Sequence, residues 1–171
     1  MRLGLALLAF AFAASAPAAA QEKWTDFRDS AQGFAVQFPG PPKVTSTQVA
    51  GKFPLTHHQY QLAAANRVYN VSVMEFAKGS SPDTSGTAYL SILIANYAKG
   101  TKTVLRTQNT TTIAGHPALE AVTEDAANDR YHLVDIFAAP PRVYLIVSEG
   151  PKGHESSAEA KRFRSSFNLI P

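Results

Sequence analysis

Hydrophobic and polar positions alternate over "FAVQF", with Phe34, Val36 and Phe38 on one side and Ala35 and Gln37 on the other. A two-residue period predicts a half-buried strand, and the Pro/Gly text at 39–42 closes it. "KVTSTQV" is rich in β-branched residues and reads as the return arm of a hairpin with that strand. "LTHHQYQL" and "RVYNVSVMEF" form the next pair across "AAAN", with Tyr69, Val71 and Val73 sharing one face. Residues 21–32, which hold the single tryptophan Trp24, read as a lead-in.

The period changes after residue 82. Leu90, Leu93, Ile94 and Tyr97 fall at i, i+3, i+4 and i+7, the stripe of an amphipathic helix. Asp83, Thr84 or Ser85 is placed to cap its start, and Gly100 its end. Alternation then resumes in "TVLRTQNTTTI" and "PALEAVTE", with "AANDR" as a turn. In "YHLVDIFAA" and "RVYLIV" both faces are largely apolar, so these strands are expected at the centre of a sheet covered on both sides. Ser156 stands three residues before Glu159, the spacing of a capping box. In the helix that follows, Ala160, Phe163 and Phe167 face inward, and Lys161, Arg162 and Arg164 outward. The predicted order is ββββ-α-ββββ-α: an α+β fold with helices packed on an antiparallel sheet.

The first twenty residues stand outside this pattern. Arg2, the apolar run "LGLALLAFAFAA" and Ala18-Ala19-Ala20 form the three regions of a cleavable signal peptide, cut between Ala20 and Gln21. The apolar run is shorter than the roughly 20 residues that a membrane span needs. Residues 21–171 are then expected to form one domain in the periplasm or outside the cell, with no stable membrane insertion.

Composition narrows the chemistry. The chain has no cysteine, which excludes disulfides, thiol catalysis, cysteine-ligated zinc and a lipid-anchored lipoprotein. The formal charge of +3 is too small to argue for nucleic acid as a partner.

The stretch "SEGPKGHESSAEAKRF" (residues 148–163) places a glycine-flanked lysine between a strand and a helix, the parts of a phosphate cradle. Its order, Gly150-Pro151-Lys152-Gly153, does not match GxxxxGK[ST], and Pro151 removes a backbone donor. Glu149 and Glu155 would repel a phosphate, so the stretch reads as a structural joint. His57 and His58 are adjacent on a strand and face opposite ways, and no metal-ligand spacing of the HExxH kind occurs. A cross-strand pair such as His58 with His132 is left as a weak polar-site candidate. Asp135 is the third. It interrupts an apolar strand beside Tyr131, Leu133 and Phe137, where a carboxylate needs a partner, with Arg106 or Arg130 to hand. No GxSxG motif is present. The residues therefore point to no catalytic, cofactor or metal site.

"GFAVQFPGPPKV", "IAGHPALEA" and "RVYLIVSEGPKG…AEAKRFRSSFNL", taken in this element order, resemble the PsbP-like fold family. That family includes the photosystem II extrinsic protein, a nuclear-transport factor that binds the GTPase Ran, and bacterial DcrB-type envelope proteins. The resemblance spans roughly residues 24–170. It implies an α/β/α sandwich and protein binding rather than catalysis, and it carries no set of functional residues. The expected function is an exported, non-enzymatic accessory or interaction module of the bacterial envelope, with another envelope protein as partner. The alternative is a small-ligand binder using a cleft between the sheet and the helix at 85–99.

Overall fold

The computed structural model describes residues 23–171; the leader expected at 1–20 lies outside the described residues. Ten strands and two helices follow in order. They are β1 (Thr25–Asp29), β2 (Phe34–Phe38), β3 (Lys43–Val49), β4 (Leu55–Ala64), β5 (Arg67–Phe76), α1 (Ala88–Thr101), β6 (Val104–Ile113), β7 (His116–Asp125), β8 (Arg130–Ala139), β9 (Arg142–Pro151), α2 (Ala158–Ser165) and β10 (Asn168–Leu169). A short 3-10 turn at His154–Ser156 precedes α2.

Seven strands form one antiparallel sheet in the order β3-β4-β5-β9-β8-β7-β6. The doubly apolar strands β8 and β9 sit in its interior, as their composition requires. One face is covered by α1, whose Leu90 and Ile94 pack on Leu119, Val134, Ile136 and Val147. The other is covered by α2 and by a small sheet, β1-β2-β10. There Phe34, Phe38, Phe163 and Phe167 bury against Tyr60, Tyr69, Phe137 and Tyr144. Aromatic contacts bind these layers: Phe34 stacks on Phe167 at 5.7 Å and Phe137 on Tyr144 at 5.1 Å between ring centres. Tyr60 Oη also donates to Asp29 Oδ2 at 2.6 Å, and Tyr144 Oη to the Gln32 carbonyl at 2.8 Å.

Several local expectations are corrected. The lead-in contains β1, and β2 pairs with β1 and β10 instead of forming a hairpin with β3. β3 pairs with β4 in the large sheet. Burial of Phe34, Val36 and Phe38 against that sheet outweighs the short-range pairing, because β2 has to lie over the large sheet to bury them. Helix α1 starts after Thr87, whose side chain makes no cap bond, and ends at Lys102, which adopts φ 57°. Gly100 therefore lies inside the helix. In α2 the N-cap is Ser157, one residue beyond the expected Ser156, and its Oγ accepts from Ala160 N at 3.1 Å.

Candidate functional site

Alternation along each strand decides which side chains meet. On β8, Asp135 points to the α2 face and His132 to the α1 face. His58, on β4, points to the α2 face but is separated from β8 by β5 and β9. The three candidate residues therefore sit in three separate networks.

His58 Nδ1 lies 2.8 Å from Ser46 Oγ, and its Nε2 is 3.6 Å from Glu75, which Arg142 holds at 2.8 Å. On the other face, His132 Nδ1 meets Tyr97 Oη at 2.7 Å, and Glu149 stands 4.0 Å from Nε2. Arg130 occupies that Glu149 at 2.5 Å and also donates to the Asn66 carbonyl. Burial depresses the His132 pKa, against the pull of Glu149. It also raises the Tyr97 hydroxyl, so the pair is held as neutral phenol and neutral imidazole.

Asp135 is paired with Arg164 of α2, and neither Arg106 nor Arg130 reaches it. Arg164 Nε and Nη2 both donate to its carboxylate, with Nη2 at 2.6 Å from Oδ1. Nη2 also donates to Glu120 Oε2 at 2.5 Å. Glu120 stands directly opposite Asp135 in the β7–β8 register, so two carboxylates share one patch of sheet and repel. One guanidinium placed over both offsets that repulsion and anchors α2 to the sheet. Burial pushes the Asp135 carboxyl above its ordinary value, and Arg164 works against that rise.

Beside this triad a cleft of about 330 Å³ opens between α2 and the end of β6. Ile113, Ile146 and Phe167 give it an apolar floor; Thr111, Thr112, Ser165, Lys161 and Arg164 give it a polar rim, and the Asp135 carboxylate also lines it. The expected cleft beside the helix at 85–99 lay on the other side of the sheet, where α1 seats Leu90, Ile94 and Ala98. The sequence pattern faces Lys161 and Arg164 outward; Lys161 is exposed, whereas Arg164 is half-buried over the sheet. Their i, i+3 spacing, which puts them on one side of a helix, was the available signal.

The opening of α2 is a joint, as read. Gly153 N donates to Glu155 at 2.9 Å, and His154, in the turn, is buried. Its ring is clamped by Ser148 Oγ at 2.5 Å and Ser157 Oγ at 3.1 Å. Ser148 is itself fully buried, so this serine–histidine pair has no access to a substrate. Among the described residues no group of three or more His, Asp or Glu is placed to hold a metal ion.

The arrangement of layers was compared with known proteins. The solution structure of cyanobacterial PsbP from Synechocystis sp. PCC 6803 matches with a TM-score of 0.57, over 91% of this chain and 98% of that one. The chain has a PsbP-like fold. Identity across the match is 10%, so the likeness concerns architecture alone. No protein-family profile matches the chain, and no curated protein does.

Proposed function

We propose that the chain is an exported accessory module of the bacterial envelope, of the DcrB-type kind, that works by contacting another protein. The observation that carries this reading is the open edge of the large sheet at β6. This strand is ten residues long and ends the sheet, so its outer row of backbone donors and acceptors has no partner strand among the described residues. β6 carries a charge, Arg106, and a register shift between Leu105 and Thr107 near its start. The segment "TQNTTTI" (107–113) beyond them holds no charge and no proline, devices that guard an exposed edge. Val104 and Leu105 at its start are exposed. The opposite edge, β3, is shorter at seven residues. Addition of a partner strand along β6 satisfies those backbone groups. No helix among the described residues is long and apolar enough to cross a membrane. The leader pattern at 1–20 supports export, and the separation of Asp135, His58 and His132 supports a role without acid–base catalysis.

The test is capture from a periplasmic extract by residues 21–171, run beside a Thr107→Lys/Thr110→Lys double variant. Both positions are exposed and lie outside the α2 cleft. Edge lysines oppose strand addition, so the wild-type chain is expected to retain a partner that the variant loses. Equal capture by both proteins overturns the edge as the contact surface.

A further inference from the structure

The cleft beneath α2 is built as a binding site, and its donors identify what it takes. Arg164 spends Nε and Nη2 on Asp135 and Glu120, which leaves Nη1 without a partner among the described residues. Lys161, one turn earlier on the same side of α2, makes no ion pair through its amine among the described residues. Asp135 also lines the cleft, but both of its oxygens accept from Arg164, which balances its charge there. What it meets are cationic donors, Arg164 Nη1 and the Lys161 amine, with the hydroxyls of Thr111 and Ser165 close by.

Below those donors the cleft is apolar. Ile113 from β6, Ile146 from β9 and Phe167 after α2 form its floor. Phe167 is buried and stacked on Phe34, so this floor is rigid. Arg164 is fixed by three bonds to the sheet, so its free edge is oriented before anything binds, which lowers the entropic cost of binding. A volume of about 330 Å³ is at the small end of the range for ligand sites.

We infer that this cleft binds a small amphipathic anion, a short-chain carboxylate whose hydrocarbon lies on Ile113, Ile146 and Phe167 and whose carboxylate meets Lys161 and Arg164 Nη1. A cation of the same shape is rejected by the two unpartnered donors. A neutral amide keeps the apolar contact but loses the charge. The inference does not depend on strand addition at β6, since it uses α2, the end of β6 and the floor beneath them.

The test is a titration of residues 21–171 with hexanoate, hexanamide and hexylammonium, followed by NMR at the Ile113 and Ile146 methyls. Hexanoate is expected to shift both saturably, hexanamide to bind about tenfold more weakly, and hexylammonium to leave them unmoved. Lys161→Ala, an exposed change that leaves the core intact, is expected to weaken hexanoate about tenfold. Ser165→Trp, also exposed, is expected to fill the cleft and abolish the shifts. Absence of hexanoate shifts, equal binding of hexanamide, or an unchanged affinity in Lys161→Ala overturns the inference. Phosphatidylglycerol vesicles form a final arm. Lys161-dependent sedimentation with them, in the absence of hexanoate binding, would assign the donors to a lipid headgroup and contradict a free carboxylate as ligand.

Discussion

The ring of His154 occupies the space that a side chain at Gly150 would need. A Cβ built on Gly150 stands 2.7 Å from His154 Cβ, well inside van der Waals contact, and both residues are buried. The last residues of β9 and the turn into α2 are thus fitted to each other. Gly150→Ala is expected to destabilise the fold by about 1–3 kcal/mol through overpacking. His154→Gly removes the ring and the Cβ, all the atoms in the way, so the double variant is expected to be more stable than the sum of the single losses. Urea denaturation of the four proteins measures this. Strict additivity would show that the two residues do not compete for the same space.

The Asp135–Arg164 pair is expected to be costly to break from one side. Arg164→Ala leaves a carboxylate that is 3% exposed without its partner, opposite Glu120. Losses of about 3–5 kcal/mol are typical when one member of a buried pair is removed. Arg164 is partly exposed, so a value near the lower end is expected. Asp135→Asn keeps the shape and removes the buried charge, and is expected to cost less. Urea midpoints of the two variants give the comparison, and a smaller loss for Arg164→Ala would refute the assigned pairing.

Acid should loosen the fold before the carboxylates titrate. Burial holds the pKa values of His57, His132 and His154 below their ordinary value. The unfolded chain therefore takes up protons at a pH where the folded chain does not, and stability rises with pH through this range. The contribution is complete above the ordinary histidine pKa of about 6.5 and is lost as pH falls below it toward the folded-state values. Melting temperatures measured from pH 7.5 to 5.5 are expected to fall. His132→Gln is expected to flatten the fall, because it removes a histidine that faces Tyr97, Glu149, Arg130 and Asp125. A melting temperature that rises on acidification would contradict the assignment.

Helix α1 ends with its glycine two residues early. Lys102 takes the left-handed conformation at φ 57°, while Gly100 lies inside the helix with nothing within 4 Å of a built Cβ. Gly100→Ala is expected to stabilise the protein by about 0.5–1 kcal/mol. Lys102→Gly relieves the left-handed backbone and is also expected to stabilise it. Thermal melts read both changes. A loss in Gly100→Ala would mean that the helix does not continue through that residue.

Local pattern made much of this architecture legible. Alternation located β2 and β5, the helical period located α1, and doubly apolar text placed β8 and β9 inside the sheet. Partner choice was hidden wherever it depended on the third dimension. Nothing local shows that Phe34–Phe38 pairs with Asn168–Leu169, some 130 residues away, and not with the strand that follows it. The partner of Asp135 was missed for the same reason, since Arg164 reaches it only once α2 is laid across β7 and β8. His154 carried no periodic signal, because it sits in a turn, and its burial follows from the missing side chain at Gly150. The candidate site falls between these cases. Its floor residues read as core, and its rim residues read as surface.

Protein contact along β6 is the central functional claim, and backbone exchange at that strand tests it most directly. Residues 21–171 should be compared free and bound to the partner captured from periplasmic extract, with hydrogen–deuterium exchange followed along the chain. Strand addition predicts that the amides of 104–113 that face away from β7 exchange rapidly in the free chain and become protected in the complex, while those of the opposite edge at 43–49 stay unchanged. Protection confined to another surface, or no captured partner at all, would contradict the account.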